Sequence, residues 1–187
     1  MRAILDRLRG HPARREHAHA LYVAVVEQAR RPVFYARLGV PDTLDGRFDM
    51  IVLHAFVVLR RLRRIGPEGV ATGQTLFEVM FADMDRNLRE MGVGDLGVGR
   101  RVKAMTKAFM GRVGAYERAC AAGGASLGAA LERNVYRSDA AIARAEAQIL
   151  ADYTERSMQS LAALDDDVIL AGRCAFAAAP ADDAEAP

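Results

Sequence analysis

The chain of 187 residues is long enough for one domain with a buried core, and 51% hydrophobic against 27% charged residues excludes a disordered polypeptide. A net charge of +2 is too small to name nucleic acid as a partner by itself. The longest apolar run, Met50–Leu59, is interrupted by His54 and falls well short of the ~20 residues a membrane-spanning helix needs.

Charged residues interrupt Met1–Gly10 every few positions, so no hydrophobic signal core is present there. Among the 26 basic residues only Lys103 and Lys107 are lysines. With the abundant alanine, this matches a GC-rich coding bias, so arginine preference alone does not argue for phosphate binding. Cys120 and Cys174 stand in no motif and are expected as free, inert thiols in a reducing compartment.

Almost every segment repeats its apolar residues at the helical period, and no alternating strand pattern stands out. A first helix is predicted over about 15–30, with Leu21 and Val25 on its apolar side and Pro32 stopping it. A short helical or irregular piece, 33–38, leads into a loop at 40–46. A second long helix, about 47–65, has an apolar arc of Phe48, Ile51, Val52, Ala55, Val58, Leu59 and Leu62, wide enough for a central position. Arg60, Arg61, Arg63 and Arg64 complement its C-terminal dipole, and Gly66-Pro67 ends it.

Thr72 is the expected N-cap of a third helix running to Met91, with a stripe of Phe77, Phe81, Met84, Leu88 and Met91. After the glycines 92 and 94, Asp95 is the expected cap of a fourth helix to about Ala122, striped by Val98, Val102, Met105, Phe109, Val113, Tyr116 and Cys120. So short a turn predicts an antiparallel hairpin. A short helix over 125–135, a long one from Ser138 to about Leu164, and an extended piece at 168–172 complete the reading.

The fold class is therefore all-α: a single-domain bundle of about five to seven helices with a central antiparallel helix hairpin. Residues 1–14 form a basic N-terminal segment, 15–172 the helical domain, and 173–187 an Ala/Pro/Asp-rich tail expected to be disordered.

Few residues carry chemistry. Gly92, Gly94 and Gly97 spell the dinucleotide fingerprint, but a helix rather than a strand precedes them, so they read as a turn. His17 and His19 splay about 200° apart on a helix and cannot share a metal. No cofactor, metal or catalytic residue is expected.

His54 reads as a core or interface histidine. An alternative places it with Asp49 or Asp83 in a helical small-molecule or enzymatic pocket. Asp85–Arg89 and Arg86–Glu90 are i,i+4 pairs of a solvated face, while Asp83 and Asn87 make a polar patch that can receive a partner.

Arg100, Lys103 and Lys107 share one helical face, suited to phosphates of RNA or lipid headgroups but lacking interleaved aromatics for stacking. An RNA-binding helical module using that stripe is a further alternative. Met80, Met84, Met91, Met105 and Met110 concentrate in the hairpin, where flexible side chains suit either core filling or varied apolar partners. The candidate partner-binding residues are Met80, Asp83, Met84, Asn87, Met91, Asp95, Arg100, Lys103 and Lys107.

The block Phe77–Asp95, followed by Val98–Met105 and preceded by Gly46-Arg47-Phe48-Asp49 and Leu53-His54, resembles the signature of the ubiquinol–cytochrome c chaperone family over roughly residues 30–120. The resemblance implies an assembly factor for the cytochrome bc1 (ubiquinol–cytochrome c reductase) complex that binds cytochrome b, or its newly made chain, or another bc1 subunit. It further implies a small partner protein and a ribosome or membrane-surface contact, but no DNA. No mitochondrial targeting extension is seen, so the expectation is a bacterial relative in the cytoplasm or peripheral at the inner membrane.

Overall fold

A computed structural model describes residues 2–123, 126–137 and 141–180, with side chains from Pro12 onward apart from Ala141 and Ile142. No strand occurs among the described residues. The first helix, α1 (Arg2–Ala29), begins earlier than the sequence predicts and carries Pro12 within it. Ala18, Leu21, Tyr22, Val25 and Ala29 form its buried stripe, in which Ala18, Leu21, Val25 and Ala29 recur every three or four residues and Tyr22 widens it. After Arg30 and Arg31, the short α2 (Pro32–Ala36) starts on a proline, whose preset φ suits the first helical position, and buries Phe34.

Next comes α3 (Leu44–Ile65), which Thr43 caps by accepting a bond from the Gly46 amide at 3.1 Å. Every residue from Val52 to Val58 is buried, because α1, α4, α5 and a later helix, α7 (Ala141–Ala162), all pack around it. The wide apolar arc of its sequence is thus matched by a position on the bundle axis.

The following helix, α4 (Pro67–Glu90), starts five residues before the expected cap. Gly66 takes a φ of 98°, open to glycine without strain, and Pro67 then begins the helix. Thr72 is an interior residue whose hydroxyl donates back to the Glu68 carbonyl. The corner between α3 and α4 is tight. A Cβ on Gly69 would lie 2.0 Å from the Leu62 carbonyl oxygen, so only glycine lets the two backbones approach there.

Gly92, at φ 79°, turns the chain into α5 (Asp95–Ala122). The cap is Gly94, one residue before the expected Asp95, which lies in the first turn and pairs with Arg89. The expected antiparallel hairpin is present: Phe109 of α5 meets the rings of Phe77 and Phe81 of α4 at 5.4 and 5.9 Å. It lies against α3.

Beyond it, α6 (Ser126–Leu131) runs into a π turn (Glu132–Tyr136) that ends at Arg137 with φ 52°. The proposed Ser138 cap lies outside the described residues. Residues 168–172, read from sequence as an extended piece, instead fall largely within α8 (Asp166–Leu170), where Asp166 and Asp167 complement the positive helix start. The chain beyond α8 also differs from a disordered tail as far as it is described. Phe176 stacks edge-on against His54 at 5.1 Å, and Ala179 is fully buried. The remaining tail, 181–187, lies outside the described residues.

Candidate functional site

His54 projects from α3 into the centre of the bundle and is 1% exposed. Its Nδ1 lies 2.8 Å from the Met50 carbonyl, which can only accept, so Nδ1 carries the proton. Nε2 therefore accepts from the Tyr153 hydroxyl at 2.9 Å, and that hydroxyl accepts from Gln28 at 2.8 Å. Rings of Phe34, Tyr153 and Phe176 surround the imidazole. Burial pushes its pKa down to about 4, so it stays neutral. A substrate cannot reach a ring so enclosed. The geometry makes His54 the core histidine of the first reading rather than the centre of a pocket.

Asp49, five residues earlier on α3, is 0% exposed and held between two arginines. Arg112 of α5 approaches it at 2.7 Å, and Arg137 donates to it at 2.6 Å. Arg112 also lies over the Phe48 ring. Burial raises the carboxyl to about 6 against the pull of both guanidinium groups, so it is largely ionised at neutral pH. Neither arginine is signalled near Asp49 in the sequence. The cluster clamps α5 and the end of the π turn to the central helix. Single removal of a partner from such a pair is strongly destabilising, because it strands a buried charge.

Asp83 also serves packing. It accepts from Tyr22 of α1 at 2.9 Å and from Asn87 at 3.0 Å, and pairs with Arg86. The expected Arg86–Glu90 pair is replaced by this contact, whereas Asp85–Arg89 forms at 2.7 Å. Tyr22 is held well above the usual phenol range by burial and by its bond to Asp83.

The methionines divide. Met80 and Met84 are buried core residues, which removes them from the open partner surface assigned to them from sequence. Their apolar stripe faces α1 and α3 rather than solvent. Met105 is half-buried against the core, and Met91 and Met110 are each 55% exposed. Asn87 and Asp95 are exposed, as are Arg100, Lys103 and Lys107.

Two of the open depressions among the described residues lie between long helices of the bundle. An apolar groove of about 200 Å³ runs between α3, α4 and α5, lined by Leu59, Val70, Phe77, Phe109, Met110 and Val113, with Arg63 and Gln74 at its rim. Its floor at Gly73 is close to Leu59, whose Cδ2 a Cβ would meet at 3.1 Å. Sequence periodicity does not find this groove, because Val70 lies before the expected helix start. A second depression lies between α3, α5 and α7, where Arg60 is tied to Glu117 and Arg61 to Asp166. Cys120 borders it as a free thiol, raised by burial.

The enclosed ionisable groups thus cross-link helices, and an apolar groove lies open beside a cationic helix face. That arrangement defines an all-helical bundle with a single core. A family model described as ubiquinol–cytochrome C chaperone matches residues 36–176, and the chain belongs to that family. It is similar to the crystal structure of the Cbp3 homolog from Brucella abortus. The two are 35% identical with a TM-score of 0.80, over 96% of this chain and 98% of that one.

It is also 26% identical over 153 residues to ubiquinol-cytochrome-c reductase complex assembly factor 1 of Xenopus laevis, covering 81% of this chain and 76% of the frog protein. The corresponding mouse protein is equally identical over the same span, and the chain covers 52% of its length. The chain thus spans about half of the mouse relative.

Proposed function

We propose that this protein is an assembly factor for the ubiquinol–cytochrome c reductase complex, acting by holding a subunit on the surface of the α4–α5 hairpin rather than by catalysis. The observation that carries this reading is the coincidence of family membership with an open apolar groove on the hairpin that the family signature builds. Cytochrome b, or its newly made chain, is the client best suited to the groove. A membrane subunit carries apolar helices that need cover before insertion, and a groove lined by valine, methionine and phenylalanine offers that cover without fixed polar partners. Met91, Asn87 and Asp95 extend the contact toward the hairpin turn, and Asp83 supports it from below.

The role requires no reacting group, and the enclosed His54 and Asp49 act as structural cross-links within it. The site of action is the cytoplasmic side of the membrane that receives the client. No helix among the described residues is long and apolar enough to cross that membrane.

Deleting the gene is expected to deplete the assembled complex. Reintroducing a Val70→Glu, Met110→Glu form is expected not to restore it, while the variant protein accumulates folded, since both side chains are exposed. Normal complex levels in the deletion strain would refute the assembly role. Full rescue by the charged-groove form would refute the groove.

A further inference from the structure

Between Asp95 and Glu117, α5 contains no acidic residue, yet it carries Arg100, Arg101, Lys103, Lys107 and Arg112. Arg112 is committed to Asp49. The other four make no ion pair among the described residues, and all four are exposed. This contrasts with the arginines of α3, of which Arg60, Arg61 and Arg63 each find a carboxylate.

Leu96, Arg100, Lys103, Lys107 and Met110 recur at spacings of four, three, four and three, so they share one face of the helix. At its N-terminal end Leu96 is 95% exposed, with Met91 across the hairpin turn. At the other end Met110 marks where the stripe gives way to the apolar groove. The stripe is about 21 Å long at the rise of an α-helix.

We propose that this face of α5 docks flat on an anionic lipid bilayer. The cations meet headgroup phosphates, and Leu96 enters the boundary between headgroups and acyl chains. A lipid surface fits the whole stripe better than a polynucleotide does. Phosphate attracts the cations in either case, but a fully exposed leucine gains nothing from a sugar-phosphate backbone. The two aromatic residues of α5, Phe109 and Tyr116, are buried and unavailable for base stacking. The surface does not depend on the assembly role, and it leaves the apolar groove facing a client that emerges at the same membrane.

The test is sedimentation of the purified full chain with phosphatidylcholine vesicles, with and without phosphatidylglycerol, at rising salt. Binding is expected only to the anionic vesicles and is expected to weaken with salt. Each cation near the surface contributes about fivefold, so the Arg100→Gln, Lys103→Gln, Lys107→Gln form is expected to bind about 100-fold more weakly. Leu96→Ser alone is expected to lower binding about tenfold with the charges intact.

All four side chains are exposed, and unchanged thermal melting by circular dichroism checks that the variants fold. Failure of the parent chain to sediment with anionic vesicles overturns the proposal, as does undiminished binding of the triple variant. Binding to single-stranded RNA without vesicle binding also overturns it. Because the assay uses the isolated protein, it is independent of the level of assembled complex.

Discussion

At the scale of single residues, the ionisable groups best placed for chemistry by sequence are the ones most deeply committed to structure. His54 is the clearest case. Its pKa of about 4 lies below the usual imidazole value of 6.5 because burial opposes the charged form. Between those two values the unfolded chain takes up a proton that the folded chain refuses, so acid favours unfolding. The stability is fully present above about pH 6.5 and is lost as pH falls toward 4.

A shift of one unit corresponds to about 1.4 kcal/mol. Urea denaturation of the wild type should therefore lose roughly 2 kcal/mol from this residue between pH 6.5 and pH 5. A His54→Gln variant is expected to lack that loss, so the stability gap between the two proteins narrows on acidification. Asp49 works in the other direction, since its raised pKa weakens the fold as pH rises toward 6. The comparison at matched pH cancels that contribution, because both proteins keep Asp49 and its arginines.

At the scale of elements, the helices follow from short-range rules, and the departures have local causes. Pro67 at a first helical position moves the start of α4 upstream of Thr72, and Gly69 lets the first turn of α4 sit against the last turn of α3. Gly69→Ala would push a Cβ into the Leu62 carbonyl at 2.0 Å. The helix-propensity gain of alanine is only about 1 kcal/mol and cannot offset that clash. The variant is expected to lose about 2 kcal/mol or more in chemical denaturation, an overpacking cost. An equal or higher denaturation midpoint would show that the corner can open without penalty.

The α8 segment illustrates a weaker signal. Five residues are too few to show a period, and only the acidic first turn marks the helix.

At the scale of the whole molecule, the C-terminal segment decides the domain boundary. Residues 173–180 run along the core, with Phe176 against His54, Ala179 buried, and the Ala177 amide donating to the Ser157 hydroxyl at 3.2 Å. Removing 173–187 is therefore expected to lower the melting temperature by several degrees, through lost aromatic packing and an opened His54 environment. Removing only 181–187, which lacks core-forming residues, is expected to leave it unchanged. Equal melting of the two truncated forms would place the boundary back at 172.

What the sequence determined by itself is the helical class, the central place of α3, the antiparallel hairpin and the family to which the chain belongs. Periodicity, proline and glycine stops, and a contiguous signature block are all local, so each is legible within a few tens of residues. Only the tertiary structure decided which side chains are spent inside. Asp49 meets Arg137 across 88 residues, and His54 meets Tyr153 across 99. The same distinction separates Met80 and Met84, turned onto neighbouring helices, from Met91 and Met110, left open. A period says that residues share a face. It cannot say whether another helix covers that face, because the covering residues come from distant parts of the chain.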